Sequence, residues 1–116
     1  MSNRRVERVG EAIREVIAEL LTREIKDPRV GMVTLTTVEV TADLRHARVY
    51  FSCLGDEAAR RKTLAGLTSA TRFIKGQLAR RLRLRYTPEV IFIPDPTIEQ
   101  ADRIAALLKE VVPDER

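Results

Sequence analysis

Apolar residues recur every three or four positions in the first part of the chain. From Arg4 onward they alternate with charged residues, at Val6, Val9, Ile13, Val16 or Ile17, Leu20 and Leu21. This spacing predicts an amphipathic helix with one apolar face. The helix should end by about Lys26, because Asp27 precedes Pro28 and the residue before a proline disfavours the helical conformation.

Two strand patterns follow. β-branched residues dominate from Met32 to Val40, and apolar and polar residues alternate from His46 to Cys53. Because only a short polar connector separates the two runs, we expect an antiparallel hairpin. A third run, Glu89 to Pro94, has the nearly all-apolar centre Val90 to Ile93, which predicts a short strand buried on both faces.

Helical spacing returns between the second and third strands. Asp56 can cap a helix from Glu57 to about Ser69, and the same periodicity resumes through Phe73, Ile74, Leu78 and Leu82. The polar step Thr68 to Thr71 between the two halves predicts a kink, because Ser and Thr hydroxyls offer the backbone competing hydrogen bonds. A capping box at Thr97 and later apolar spacing predict a final helix, which Pro113 ends.

The order of the elements predicts the fold class. Helix, strand, strand, helix, helix and strand, with a short C-terminal helix, indicate an α+β domain with its helices on one face of a three-stranded sheet. A chain of 116 residues is long enough for one domain and too short for two. We therefore expect a folded domain over residues 1–112 and a short tail over 113–116, in a monomeric protein.

Catalytic residues are scarce. The single histidine, His46, falls on the polar face of its strand, and the single cysteine, Cys53, continues the apolar register and should be a small buried residue. The five glycines stand too far apart for a phosphate-binding loop. We expect no enzyme activity, cofactor, metal or small-molecule substrate. With no apolar run of about 18 residues and no signal-like N-terminus, we also expect a cytoplasmic protein without membrane contact.

Positive charge is concentrated in one segment. Residues 58–88 carry nine of the 21 Lys and Arg residues and none of the 17 Asp and Glu residues. The rest of the chain has 12 basic and 17 acidic residues and is therefore acidic. A local positive field of this kind attracts polyanions, nucleic acid foremost. The alternative is a solvated basic helix face, although such faces usually mix charges of both signs.

Helical angles refine this hypothesis. Counted at about 100° per residue from Arg72, the basic residues Lys75, Arg80 and Arg83 lie on the same face of a helix as Arg72. The apolar residues Ile74, Leu78 and Leu82 lie on the other face. Gly76 and Ala79 lie between the charges and leave room for a phosphate backbone. Arg81 and Arg85 fall on the apolar side, so these two residues must either extend along the surface or lie beyond the end of the helix. The candidate RNA-binding residues are Arg72, Lys75, Gly76, Arg80, Arg81, Arg83 and Arg85.

Three stretches of the chain carry a family resemblance: Arg23 to Gly31, Arg81 to Glu89, and Thr97 to Glu99. They resemble ribosome-binding factor A, a family of bacterial small-subunit maturation factors. The resemblance covers about Arg4 to Leu108. It implies a type II KH-like domain without catalytic activity, which binds the immature small ribosomal subunit and its rRNA near the decoding region and assists late maturation and rRNA processing.

One departure concerns the step between the two central helices. Here it reads Ala70-Thr71-Arg72, with arginine where the family pattern has glycine. The sequence leaves open whether the helix is interrupted there, and it argues against gripping a single strand as KH domains do with a Gly-x-x-Gly loop.

Two other function classes remain open. A regulator of duplex DNA could insert the basic helix in the major groove, but Gln77, the one amide there suited to reading adenine, lies about 140° from Arg72. A protein-only adaptor could use the same face to bind an acidic partner. Few aromatic residues lie near the basic segment, so phosphate contacts should dominate over base stacking.

Overall fold

The computed structural model of the protein describes residues 4–30 and 33–95. Six elements follow in the predicted order: α1 (Arg4–Arg23), β1 (Val33–Val40), β2 (His46–Cys53), α2 (Glu57–Ser69), α3 (Thr71–Arg81) and β3 (Glu89–Pro94). The α+β class and the hairpin are therefore confirmed. The predicted C-terminal helix and tail, and the first residue of the predicted first strand, lie outside the described residues.

The three strands form one sheet in the order β1-β2-β3. β1 and β2 pair antiparallel from Val33 opposite Cys53 to Val40 opposite Ala47, with a bulge between Leu35 and Thr37. β2 and β3 pair parallel, which requires a long crossover between them. The helices α2 and α3 supply that crossover, so the basic segment of the sequence is the connection between two neighbouring strands.

The core lies between the sheet and the helices. Its largest fully buried side chains come from every layer and include Ile13, Ile17 and Leu20 of α1, Phe51 of β2, Leu67 of α2, and Ile74 and Leu78 of α3. The outer face of the sheet is not covered by any of the described helices. For that reason the prediction that β3 is buried on both faces is wrong: Val90 and Phe92 are buried, but Ile91 is 44% exposed. Cys53 is half-buried and packs against the edge of the core.

The helical region breaks at Ala70. This residue ends α2 and begins α3, with φ −90° and ψ −3°. Its N–H donates to the carbonyl oxygens of Gly66 and Leu67, and its own carbonyl accepts from the N–H of Ile74. The Thr71 hydroxyl donates to the carbonyl of Thr68 at 2.8 Å, as expected for a polar residue that competes for the backbone. The interruption is therefore present although Arg72 replaces the family glycine.

The loop after α1 packs closely on α2 at Gly66. A Cβ atom at Gly66 would lie 2.7 Å from Val30 Cγ2 and 3.1 Å from Arg29 Cβ. Val30 has a stiff β-branched side chain, and the Arg29 atom is next to the backbone, so neither can move aside cheaply. Gly66 is required here by close packing, because a larger residue would push the loop away.

Two glycine substitutions should have opposite effects on stability. Gly66→Ala should lower the free energy of unfolding by about 1–2 kcal/mol, because overpacking exceeds the gain in helix propensity. Gly76→Ala should raise it by about 0.5–1 kcal/mol, since a Cβ there meets no atom within 4 Å. Urea denaturation of both variants measures the difference. A shift of the same sign in both would contradict the close approach at Gly66.

Candidate nucleic-acid interface

The helix α3 has one buried face and one exposed face. Ile74 and Leu78 are fully buried. The opposite side is exposed and carries Arg72, Gly76, Ala79 and Arg80. This separation agrees with the helical angles and leaves two arginines with two small residues between them. The space above Gly76 is open.

Phe73 belongs to the exposed face and not to the core. The apolar spacing of the sequence placed it with Ile74, but its side chain is 43% exposed. At about 100° per residue it lies close to the direction of Arg80 and far from that of Leu78. An exposed ring on the same side of the helix as Arg80 is placed where it can stack with a base, which the small number of aromatic residues did not indicate.

The helix α3 ends before Arg83, although the helical angles were counted as if the helix continued past that residue. Its last residue is Arg81, and Leu82 has the extended conformation φ −113°, ψ 132°. Arg83 and Arg85 therefore lie in the connector to β3, and the helical angle assigned to Arg83 is wrong. Both residues are exposed. Leu82, between the helix and these arginines, packs against the core and holds the connector to the domain.

Arg81 binds acidic residues of α1. Its guanidinium donates to Glu19 Oε1 at 2.6 Å and to Glu24 Oε2 at 3.2 Å. These pairs join the end of α3 to the end of α1. Both carboxylates belong to residues outside the segment 58–88, so a charge count over that segment could not reveal them. Arg81 is thus a partly neutralised residue at the border of the interface.

Lys75 is also paired, although residues 58–88 contain no acidic residue that could neutralise it. Its ammonium group makes an ion pair with Glu89 at the start of β3. The hydrogen bond from Lys75 holds the pKa of the Glu89 carboxyl below its ordinary value. Within residues 4–30 and 33–95, by contrast, the candidate residues Arg72, Arg80, Arg83 and Arg85 have no ion pair. The charges of these four arginines are available to phosphate.

The loop after α1 supports the break between α2 and α3. Arg29 donates to both carboxylate oxygens of Asp27, at 3.0 and 2.6 Å, and also to Ser69 Oγ at 3.1 Å. The hydrogen bonds from Arg29 lower the pKa of Asp27 to about 2, and the bonds to Asp27 raise the pKa of Arg29. This part of the stretch from Arg23 to Gly31 therefore has a structural role, because it binds the last residue of α2.

A second basic cluster lies near the first residue of β3 and was not predicted from the sequence. The Arg45 guanidinium lies over the ring of Tyr86, 4.2 Å from its centroid, and that of Arg85 lies 5.5 Å away. His46 is exposed, as predicted, but it lines a pocket together with Arg45, Arg85 and Tyr86. Arg45 lies outside the basic segment 58–88, so no sequence pattern linked it to Tyr86.

Across the described ranges, no group of three or more His, Cys, Asp or Glu side chains is placed to hold a metal ion.

Nor does any described helix have the length and apolar character needed to cross a membrane.

Known proteins match nearly the whole chain. The sequence model of ribosome-binding factor A matches residues 5–108. A ribosome-binding factor A of Heliobacterium modesticaldum is 48% identical over 111 residues, which are 96% of this chain and 92% of that protein. The match thus covers nearly all of both sequences.

Solved structures of the same family have a similar fold. The crystal structure of ribosome-binding factor A from Thermus thermophilus is 27% identical, with a TM-score of 0.69 over 77% of this chain and 93% of that one. A homology model of the Thermus thermophilus factor, fitted into a cryo-electron-microscopy map of a complex with the 30S subunit, is 28% identical. Its TM-score is 0.61 over 75% of this chain and 91% of that one. With matching sequence, element order and fold, the chain belongs to the ribosome-binding factor A family.

Proposed function

We propose that this protein is a non-enzymatic assembly factor that binds the immature small ribosomal subunit through its rRNA and assists late maturation and rRNA processing. It works in the cytoplasm, where small subunits are assembled, and as a monomer without a cofactor. Family membership supports the choice of partner, since a Thermus thermophilus relative has been fitted into a 30S complex.

The exposed face of α3 is the single observation that carries this proposal. Arg72 and Arg80 have no ion pair among the described residues, and the small residues Gly76 and Ala79 lie between them. Arg83 and Arg85 extend this surface along the connector. Unpaired arginines around small side chains allow a phosphate backbone to approach closely. We call this surface, made of Arg72, Gly76, Arg80, Arg83 and Arg85, the basic face.

Lys75 and Arg81 have a different part in the proposal. Both came from the same sequence pattern, but their charges are already engaged by Glu89 and by Glu19 and Glu24. To contact phosphate, each would have to leave or share its carboxylate. We therefore place them at the margin of the basic face, where they contribute less than the unpaired arginines.

Sedimentation with three partners tests the proposed function. The protein should pellet with immature small subunits, bind protein-free small-subunit rRNA more weakly, and bind duplex DNA least, because the last offers charge without the folded RNA surface. Equal binding to duplex DNA and rRNA would favour the DNA regulator. Binding to subunits with none to free rRNA, even at low salt, would favour the protein-only adaptor.

A further inference from the structure

The cluster around Tyr86 is built from three separate parts of the chain. Arg45 and His46 come from the β1-β2 turn and the start of β2, Lys75 comes from α3, and Arg85 and Tyr86 come from the connector before β3. Together they line an open pocket with a volume of about 570 Å³. This volume lies within the range of sites that take small organic groups, about 300–1,000 Å³.

The β1-β2 turn holds Arg45 in place. Asp43 Oδ1 accepts from the Arg45 N–H at 3.0 Å and from the Thr41 hydroxyl at 2.7 Å. The carbonyl of Arg45 in turn accepts from the N–H of Glu89 at 2.8 Å, which ties the turn to the first residue of β3. Leu44 has a positive φ of 62°, a conformation that a leucine adopts only where its surroundings impose it. The arginine therefore extends from a fixed backbone.

The ring of Tyr86 is accessible although two guanidinium groups lie over it. Its side chain is 46% exposed. Glu89, the one carboxylate among the described residues that line the pocket, is paired with Lys75, so it does not offset the two arginines. An aromatic ring with guanidinium groups over it, in a positively charged pocket, matches the two parts of a nucleotide, a flat base and a phosphate.

We propose that this pocket binds one unstacked nucleotide of single-stranded rRNA, with its base against the Tyr86 and Arg45 stack and its phosphates at Arg45 and Arg85. The inference rests on the proposed function and adds to it a second site, which adjoins the basic face and shares Arg85 with it. Duplex RNA cannot fill the pocket, because its bases are stacked and paired. An acidic protein segment would use the arginines but would gain little from the ring.

The test compares RNA strands that differ only in having bases. One probe is a short single-stranded oligoadenylate, and the other is an abasic ribose-phosphate strand of equal length. The wild-type protein should bind the oligoadenylate about 5- to 100-fold more tightly, as expected for stacking of one base. Tyr86→Leu should remove most of the preference for oligoadenylate, leaving only what stacking on exposed Phe73 contributes, and Tyr86→Phe should keep the wild-type preference.

The arginine is tested by salt dependence. Arg45→Gln should weaken binding of both strands and reduce the log-log slope of affinity against salt by about 0.7, the value for one phosphate contact on a single strand. Arg48→Gln is the matched control, because Arg48 is exposed on the same strand pair but is bound to Glu39. That control should leave the slope and the base preference unchanged.

Two results would overturn the inference. One is an equal affinity of the wild-type protein for the two strands, and the other is an unchanged preference in a folded Tyr86→Leu variant. Either result, with sedimentation on immature small subunits intact, contradicts only the nucleotide pocket. Failure of the wild-type protein to bind subunits and rRNA would instead contradict the proposed function. The thermal transition of each variant checks folding, and half-exposed Tyr86 should tolerate both substitutions.

Discussion

Replacing Arg80 and Arg83 together by glutamate is expected to abolish association with immature small subunits. Both side chains are exposed and have no ion pair in the described part of the chain. The substitution removes two phosphate contacts and places two negative charges beside the remaining arginines, so attraction becomes repulsion. Sedimentation with subunits should show wild-type protein in the pellet and the variant in the supernatant.

Folding of this variant should change little. Exposed substitutions away from caps and buried networks usually shift the free energy of unfolding by less than about 0.5 kcal/mol. A matched control reverses Arg4 and Arg5, which are exposed at the start of α1 and change the net charge by the same amount. That control should remain in the pellet. If both variants were lost from the subunits equally, total charge and not the basic face would determine binding.

The opposite face of the same helix should control stability and not binding. Leu78→Ala is expected to lower the free energy of unfolding by roughly 2–5 kcal/mol, because Leu78 is fully buried and truncation leaves a cavity. At low temperature, where the variant is folded, its affinity for rRNA should stay within about twofold of the wild type. Urea denaturation and RNA titration measure the two effects separately.

The neighbouring residue provides the control for Leu78. Ala79 is exposed on the basic side, so Ala79→Ser should change stability by less than about 0.5 kcal/mol. A cost below about 1 kcal/mol for Leu78→Ala would mean that α3 is not anchored by this side chain. The two substitutions together test whether packing and binding are divided between the two faces of one helix.

The fold could be predicted from the sequence because its signals are local. The spacing in α1, the β-branched run of β1 and the alternation in β2 each follow from the period of one element. The prediction for β3 was wrong at Ile91, because a short apolar run does not reveal which faces of a sheet are covered. Phe73 was misassigned for a related reason, since one step of 100° separates it from buried Ile74.

The candidate site was predictable in outline but not in detail. Charge counts identified the segment, and helical angles separated the basic side of α3 from Ile74 and Leu78. Ion pairs to Glu89 and Glu19 depend on residues far along the chain, and a charge window cannot detect them. The approach of Arg45 to Tyr86 depends on the parallel pairing of β2 and β3, which is a tertiary feature.

The salt dependence of rRNA binding, compared between the wild type and the Arg80→Glu, Arg83→Glu variant, tests the central claim most directly. Each phosphate contact on unpaired RNA contributes about −0.7 to the log-log slope, so loss of two contacts should flatten the slope by about 1.4. Binding should also weaken at every salt concentration. Equal slopes in the two proteins, with association to small subunits retained by the variant, would contradict the basic face as the RNA-binding surface.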